Sequence, residues 1–278
     1  MKILETYYPG KEFPSISLTG TYCSLNCKHC SRHYLEGMIP AVNEGALYNT
    51  AKKIYEFGGK GFLLSGGSDL NGKLPLKKFK DVVKKIKKDF PLIINAHTGI
   101  LEEEDIKIID EMGIDNVSFD AVISDEIIKN VFGLNKTSEF YKKSLDLLDL
   151  SGISYTPHII IGLNFGNISY EYDTINYLKN LNNFRKLIFL ILIPTKGTPM
   201  ENIKLPHVDE MANVLSYSIN NIKKEHVIGC MRPRILKDFE IRAIDLGVKG
   251  ITIPAPSTIE YASKNNYEIV KKNICCAF

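Results

Sequence analysis

Three cysteines stand close together near the start of the chain, at Cys23, Cys27 and Cys30. Thiolates are soft, charged donors that suit iron. With spacers of three and two residues, the three thiolates can converge on three irons of a cubane and leave the fourth iron without a protein ligand. Structural zinc sites have four protein ligands, and this segment offers the three cysteines plus His29, which lies awkwardly next to Cys30. The spacing therefore favours an iron–sulfur cluster, with a zinc site or plain reduced thiols as the alternatives.

The chain has three further cysteines, at Cys230 and at the adjacent positions Cys275 and Cys276. Clustered thiols in a cytosolic protein more often bind metal or carry out redox chemistry than build a disulfide framework. These three residues are therefore candidates for an auxiliary cluster or a sulfur donor. The alternative is a buried Cys230 and two thiols in a disordered tail.

Short apolar runs rich in β-branched residues alternate with amphipathic segments along the whole chain. The runs are nearly continuous, as is typical of strands that are covered on both faces. They predict eight strands, at Ile16–Thr21, Gly61–Ser65, Leu92–His97, Asn116–Phe119, Tyr155–Gly162, Lys186–Ile193, Val227–Cys230 and Gly250–Ile253. The segments between them predict seven helices, at Glu44–Phe57, Leu76–Phe90, Glu102–Met112, Ser138–Leu150, Tyr170–Leu181, Val208–Lys224 and Lys237–Leu246.

Eight strands at about 30–35 residues per strand–helix unit are typical of a (β/α)8 TIM-type barrel with parallel strands. A doubly wound open sheet is the rival α/β fold, but the glycine-rich dinucleotide turn after the first strand is absent. No linker or low-complexity segment divides the chain. We therefore expect one barrel domain over residues 1–278, complete or nearly so, with a lead segment at 1–14 and a C-terminal tail at 265–278. In such barrels the chemistry lies where strands end and loops begin.

The cysteine triplet after the first barrel strand resembles the signature of the radical S-adenosylmethionine (SAM) superfamily, in its biotin synthase and lipoyl synthase-like branch. The resemblance implies that Cys23, Cys27 and Cys30 bind a [4Fe–4S] cluster whose open iron chelates SAM. It also implies reductive cleavage of SAM to methionine and a 5′-deoxyadenosyl radical, which abstracts a hydrogen from the substrate. His29 stands where the family usually has an aromatic residue before the third cysteine.

Further segments resemble the family's SAM-binding segments in the expected order along the chain. The glycine pair after the second strand resembles the segment that contacts the SAM amino group, although its usual acidic residue is missing. The fourth strand presents alternate residues that share one face, and the fifth resembles the segment that contacts adenine. The SAM contacts that the resemblance implies are Gly66, Gly67, Ser68, Asn116, Ser118, Asp120, Gly162 and Leu163. The turn at Ile193–Pro199 and His97 also have counterparts in the branch.

This chain lacks cysteines that bind a second cluster in other members of that branch, and their absence limits which reaction it can catalyse. Biotin synthase-like enzymes bind a second cluster through cysteines of strands three to five, and this chain has no cysteine between Cys30 and Cys230. The usual single-chain lipoyl synthase has a cysteine-rich N-terminal arm, whereas Cys23 is the first cysteine here. The pattern is similar to one half of a two-component lipoyl synthase, which implies sulfur insertion into a protein-bound octanoyl chain. Methylation, rearrangement or cofactor assembly are the alternatives within the branch, and a non-catalytic iron–sulfur or zinc protein is the alternative outside it.

Sulfur insertion would require a sulfur source, and Cys230, Cys275 and Cys276 are the candidates to bind a possible second [4Fe–4S] cluster. The thirteen residues after Asn265, at about 3.3 Å each, are long enough to reach across a barrel mouth. We therefore expect the tail to return to the mouth where Cys230 lies. Arg232 and Arg234 are candidates to bind a carboxylate, with an ordinary surface position as the alternative.

Composition sets the remaining expectations. Lys and Arg number 35 against 32 Asp and Glu, so the net charge of +3 gives no reason to expect binding to nucleic acid or to a membrane. The apolar runs are far shorter than the roughly 20 residues that span a bilayer, and residues 1–9 do not resemble a signal peptide. We expect a cytoplasmic protein. The resemblance implies a low-potential ferredoxin or flavodoxin as reductant, with a second radical SAM subunit and a lipoyl carrier protein as possible partners.

Overall fold

Parallel strands joined by helices build the chain into one sheet. The computed structural model describes residues 2–278, and within them every strand pairing is parallel. The strands are β1 (Lys2–Tyr7), β2 (Ser15–Ser17), β3 (Ile39–Pro40), β4 (Gly61–Ser65), β5 (Ile93–His97), β6 (Asn116–Asp120), β7 (Tyr155–Ile161), β8 (Lys186–Ile191), β9 (Glu225–Ile228), β10 (Gly250–Thr252) and β11 (Tyr267–Lys272).

Helices follow most of the strands and cover the outer face of the sheet. They are α1 (His33–Glu36), α2 (Glu44–Glu56), α3 (Lys80–Asp89), α4 (Glu103–Met112), α5 (Asp125–Asn130), α6 (Ser138–Ser151), α7 (Glu171–Leu178), α8 (Val208–Asn221), α9 (Lys237–Leu246) and α10 (Pro256–Lys264). Gly113, Gly152 and Gly247 end α4, α6 and α9 with φ of 68°, 77° and 96°. Glycine adopts this left-handed conformation without the steric cost that a Cβ atom brings. In residues 2–278 no helix is long and apolar enough to cross a membrane.

The strand order confirms the predicted α/β class. The sheet runs β11-β1-β10-β9-β8-β7-β6-β5-β4-β2-β3, so the eight predicted strands lie side by side in chain order. Strand β1 is placed between β10 and β11, and no strand pairing in residues 2–278 joins this edge to β2 or β3. The fold is therefore a nearly complete barrel of parallel strands rather than a closed one.

Three strands were not predicted: β1 in the lead segment, β3, and β11 in the tail. Strand β1 pairs with β11 from Lys2↔Tyr267 to Tyr7↔Lys272. Both mix a short apolar pair with charged residues and β11 is only half-buried, so neither has the continuous apolar run by which the other strands were recognised. We predicted a lead segment and a tail without strands, whereas the two segments pair with each other through β1 and β11. Met1 lies outside the described residues.

After β11 the tail turns into the barrel. Cys276 and Ala277 are buried against Tyr7, Ile188 and Val227. The Lys186 Nζ donates a hydrogen bond to the main-chain oxygen of Phe278 at 2.8 Å, at the residue where β8 begins. The last residues of the chain therefore fill part of the barrel interior.

Candidate functional site

The three-cysteine loop runs from β2 to α1, at the C-terminal edge of the sheet. Cys23, Cys27 and Cys30 are all partly buried and free of disulfides. The Cys23 Sγ accepts a hydrogen bond from the Ser68 main-chain N–H at 3.3 Å, and the Ser24 N–H donates to the Ser68 carbonyl at 2.8 Å. These two hydrogen bonds hold the loop against the segment that follows β4.

A glycine allows this close contact. A Cβ atom on Gly67 would lie 2.0 Å from the Tyr22 carbonyl oxygen and 2.6 Å from the Cys23 Cα. The Gly67 N–H donates to the Thr19 Oγ1 at 2.6 Å, and Gly66 has a φ of 155°. The glycine pair that was a candidate for binding SAM therefore lies directly against the first cysteine, together with Ser68.

The thiols of Cys27 and Cys30 contact each other, which separates their acidities. The hydrogen bond from Cys27 lowers the pKa of Cys30 to about 7 despite partial burial, with help from the Arg32 backbone N–H. The same hydrogen bond, together with burial, raises the pKa of Cys27. One thiol of the pair therefore ionises near neutral pH, which favours binding of a metal by thiolate.

His29 provides the test between zinc and an iron–sulfur cluster. Ligand atoms of Cys27, His29 and Cys30 lie within 4.8 Å of one another, and among the described residues Cys23 does not belong to this compact group. A zinc tetrahedron with four ligands is therefore not assembled. A cubane binds each thiolate through a different iron, so its ligands need not be so close together. The loop fits a three-thiolate cluster better than it fits zinc.

A second group of side chains converges inside the barrel. His97 at the end of β5, Asp120 at the end of β6 and His158 within β7 have ligand atoms within 4.8 Å of one another. The His97 Nε2 lies 3.2 Å from Asp120 Oδ2, and the His158 Nδ1 lies 3.7 Å from Asp120 Oδ1. Sequence reasoning singled out His97 and Asp120 separately and missed His158. The parallel register, which pairs Asp120 with His158, is the signal that could have found it.

Burial and charge set the protonation of this group. Burial alone would raise the pKa of Asp120, but the neighbouring His97, with smaller contributions from His158 and His29, lowers it to about 2. Burial lowers the pKa of His158 to about 4, only partly offset by Asp120. At neutral pH the group therefore has an ionised carboxylate beside a neutral His158 imidazole.

The other two candidates on β6 face the interior as predicted, but deeper. Asn116 is fully buried, and its side-chain oxygen accepts a hydrogen bond from the Thr156 hydroxyl at 3.1 Å. Ser118 is 2% exposed and accepts a hydrogen bond from the Asn95 Nδ2 at 2.9 Å. In this structure both side chains are engaged by neighbouring strands, whereas Asp120 keeps 31% of its side chain accessible.

At the end of β7, the candidates Gly162 and Leu163 present backbone rather than side chain. Gly162 has a φ of 77°, and its N–H donates to the Glu171 carboxylate at 2.8 Å. The Leu163 side chain is fully buried. After β8, the Thr195 hydroxyl lies 3.1 Å from the Tyr34 hydroxyl, which connects the turn at 193–199 to the segment after Cys30.

The structure brings the cysteines of the tail inside the barrel. The Cys275 Sγ accepts a hydrogen bond from the Asn95 Nδ2 of β5 at 3.5 Å, and the adjacent Cys276 is buried. Cys230 retains accessible surface, yet burial, together with the nearby Cys276, raises its pKa to about 11. The influence of Cys276 on Cys230 indicates that Cys230 lies near the end of the tail.

The structure overturns the expectation that Arg232 binds a ligand or lies at the surface. Arg232 is 1% exposed and pairs with the buried Glu240, and it also donates to the carbonyls of Gly229 at 2.6 Å and Thr252 at 2.8 Å. Its donors are used within the fold. Arg234 is more exposed and donates to the Cys230 carbonyl at 3.2 Å.

Comparison with known proteins agrees with this geometry. The model of the Radical SAM superfamily matches residues 17–178, which is more than half of the chain. Biotin synthase of Aquifex aeolicus is 26% identical over 254 residues, covering 86% of this chain and 74% of that protein. Biotin synthase of Thermotoga neapolitana is 25% identical over 252 residues, covering 86% of both.

Solved structures share the fold at low identity. A maturase of the [FeFe]-hydrogenase superposes with a TM-score of 0.65 at 15% identity and covers 90% of this chain. Only 57% of the maturase is matched, so this chain spans little more than half of its length. Methylornithine synthase superposes with a TM-score of 0.62 at 15% identity, over 92% of this chain and 73% of that enzyme.

Proposed function

This chain belongs to the radical SAM superfamily, and from that premise we propose that it inserts sulfur into a protein-bound octanoyl chain. Its place among biotin synthase-like radical SAM enzymes rests on the family match and the relatives. The proposal of sulfur insertion rests on one observation, the entry of Cys275 and Cys276 into the barrel beside Asn95. Sulfurtransferase activity of the lipoyl synthase kind is the reaction that best accounts for thiols in that place.

The three-cysteine loop fits the cluster that the family implies. Cys23, Cys27 and Cys30 would hold a [4Fe–4S] cluster, which supplies one electron for the cleavage of bound SAM to methionine and a 5′-deoxyadenosyl radical. The loop keeps its thiols free of disulfides and partly accessible. Gly67 lets the loop lie directly against the segment after β4, so the backbone of Gly66 and Gly67 would lie beside SAM bound at the cluster.

Placement of the substrate is the task of the barrel. A carbon radical reacts with almost any nearby C–H bond, so the enzyme must exclude water and hold one substrate hydrogen within about 3–4 Å of the radical. The tail residues Cys276 and Ala277 already cover the apolar side chains of Ile188 and Val227, so an octanoyl chain would lie beside the tail. Burial of such a chain would contribute roughly 0.8 kcal/mol per methylene.

The thiols of the tail would hold the sulfur source. Sulfur insertion at an unactivated carbon needs a sulfide held next to the substrate radical, and thiolates are the ligands that hold iron–sulfur clusters. Cys230, Cys275 and Cys276 are free of disulfides and come from two separate parts of the chain. A second [4Fe–4S] cluster on these residues would supply that sulfide. The chain has no cysteine from Ser31 to Gly229, so the strands in that range provide no thiolate for a second cluster. The tail would provide these ligands instead.

The partners and location follow from this chemistry. One-electron reduction calls for a low-potential ferredoxin or flavodoxin, and the octanoyl chain calls for a lipoyl carrier protein. We propose a second radical SAM subunit that shares the two sulfur insertions. A cytoplasmic location suits six free cysteines, because the cytosol keeps thiols reduced.

The proposal is tested with the triple variant Cys230→Ala/Cys275→Ala/Cys276→Ala, reconstituted anaerobically with iron and sulfide. We expect wild type to bind about eight irons per chain and the variant about four, since each cubane holds four. We also expect the variant to keep reductive cleavage of SAM and to lose thiolated product from an octanoylated carrier. Cys23→Ala/Cys27→Ala/Cys30→Ala is the matched control, which should lose SAM cleavage instead. A tail variant that retains all of its iron contradicts the proposal and leaves a one-cluster enzyme of another radical reaction.

A further inference from the structure

An amide side chain in the barrel interior receives the sulfur of the tail. Asn95 of β5 is 1% exposed, and its Nδ2 donates a hydrogen bond to the Cys275 Sγ at 3.5 Å. We propose that Asn95 is a positioning residue for the sulfur source, which it holds on the inner side of the substrate while SAM lies on the side of the mouth. The role of Asn95 rests on the proposed sulfur insertion, and Asp120 stays a candidate contact of SAM.

Neighbouring strands fix which way the Asn95 amide faces. The Asn116 side-chain oxygen accepts hydrogen bonds from the hydroxyls of Ser154 and Thr156, both at 3.1 Å. The Asn116 Nδ2 is therefore turned toward Asn95 and donates to its Oδ1 at 3.0 Å. A reversed Asn95 amide would place two N–H groups against each other, and a buried donor without an acceptor is unfavourable. The Asn95 Nδ2 is thus the atom that faces the tail.

This orientation requires the Cys275 sulfur to act as a hydrogen-bond acceptor. A neutral thiol is a weak acceptor, whereas a thiolate, free or bound to iron, is a stronger one because it is charged. Hydrogen bonds to the sulfur atoms around an iron–sulfur cluster also help to set its reduction potential. The Asn95 amide therefore suits a metal-bound thiolate better than it suits a thiol that only fills space.

The tail is also held beyond Cys275. The two residues that follow it are buried in an apolar cluster of the interior, and the main-chain oxygen of Phe278 accepts a hydrogen bond from the Lys186 Nζ at 2.8 Å. These contacts fix where the end of the tail lies. The hydrogen bond from Asn95 then fixes the direction in which the sulfur is presented.

The register of the sheet separates this sulfur from the candidate SAM site. Asn95 is the register partner of Asn116, and Asp120 lies further along β6 at its C-terminal end. At about 3.3 Å per residue, the levels of Asn116 and Asp120 are about 13 Å apart along the strand. The C-terminal ends of barrel strands face the mouth, so Asp120 lies nearer the mouth and the Asn95 amide lies deeper. A substrate chain between them would meet SAM from one side and the held sulfur from the other.

The test is Asn95→Leu in the anaerobically reconstituted holoenzyme, because leucine fills a similar volume and has no N–H group to donate. With dithionite as reductant, we expect undiminished 5′-deoxyadenosine release. We expect the thiolated product formed per 5′-deoxyadenosine to fall about 10-fold or more, as loss of a hydrogen bond to a charged group implies.

A redox titration followed by electron paramagnetic resonance provides the readout that altered packing alone would not move. It is carried out in the Cys23→Ala/Cys27→Ala/Cys30→Ala background, in which only the second cluster remains. We expect Asn95→Leu to make the midpoint potential of that cluster more negative, because a hydrogen bond to one of its sulfur ligands is lost.

Asn221→Leu is the matched control, because Asn221 is exposed and its Nδ2 donates to the Tyr217 carbonyl at 2.9 Å. It should match wild type in both readouts. Circular dichroism checks that each variant is folded, and Asn95→Ala replaces the leucine variant if that variant is not. Unchanged product and unchanged potential in the Asn95 variant overturn the proposal and leave sulfur insertion standing. Loss of SAM cleavage in that variant also overturns it, because Asn95 would then act on SAM. Wild-type protein with only about four irons overturns both the role of Asn95 and the proposed function.

Discussion

Replacement of Gly67 by alanine should detach the three-cysteine loop from the glycine segment beside it. The added Cβ would lie 2.0 Å from the Tyr22 carbonyl oxygen, whereas ordinary contact begins at 3.4 Å. The two segments must therefore separate by about 1.4 Å, and both contacting groups are backbone, which cannot rotate away. Overpacking of this kind costs about 1–3 kcal/mol. If the loop relieves that strain by leaving its position, the competent position becomes about 5- to 150-fold less populated.

The assay is iron content and 5′-deoxyadenosine release after anaerobic reconstitution, with the free energy of unfolding measured in urea. We expect Gly67→Ala to lose most of the iron bound by the loop and most SAM cleavage. Gly37→Ala is the matched control, because Gly37 has an ordinary φ of −86° and no heavy atom within 4 Å of an added Cβ. Full iron binding, full SAM cleavage and unchanged stability in Gly67→Ala would refute the reasoning.

Three further predictions concern the scaffold. Arg232→Met should destabilise the fold by about 3–5 kcal/mol in urea unfolding, because it leaves the Glu240 carboxylate buried and unpaired. Burial lowers the pKa of His226 to about 4, so the unfolded chain takes up this proton below about pH 6.5 while the folded chain does not. Stability should fall as pH drops from 6.5 to 4, by up to roughly 3 kcal/mol from this residue, and His226→Gln should reduce that slope in urea titrations. Lys186→Met removes the hydrogen bond to the Phe278 carbonyl and should speed amide hydrogen exchange in residues 274–278.

Matched variants at more exposed residues serve as controls for Arg232 and Lys186. Arg234→Met, at a more exposed arginine, should change stability by less than about 0.5 kcal/mol, and an equal loss in both variants would deny a special role for the buried pair. An unchanged slope in His226→Gln would mean that this imidazole does not titrate differently on folding. Lys179→Met, at an exposed helix end, should leave tail exchange unaltered. Equal exchange in Lys186→Met and wild type would show that the tail is held by apolar contacts alone.

Much of the fold could be predicted because its strands are buried on both faces. Continuous apolar runs such as those of β4 and β8 identify a strand by composition, and a glycine such as Gly113 identifies a helix end by its conformation. The candidate cluster ligands could also be identified from the sequence, since all three loop cysteines lie within eight residues. Strands β1 and β11 were missed because each has only a short apolar pair among charged residues. They stabilise each other by pairing between the two ends of the chain.

The parts of the site that depend on register could not be read from sequence alone. His158 contacts Asp120 because β6 and β7 are parallel neighbours with one particular register, which a shift of one residue would abolish. Arg232 was a candidate to bind a carboxylate or to lie at the surface. Its buried partner Glu240 lies on α9, and nothing in the local sequence shows that the side chain turns inward. The position of Cys275 beside Asn95 likewise depends on how the tail turns after β11.

The most direct test of the account is reductive cleavage of SAM, measured as 5′-deoxyadenosine released by reconstituted protein with dithionite. We expect release by wild type and by the triple variant of Cys230, Cys275 and Cys276. We expect none from the variant Cys23→Ala/Cys27→Ala/Cys30→Ala. Continued 5′-deoxyadenosine release by that loop variant would contradict the assignment of radical formation to the three-cysteine loop.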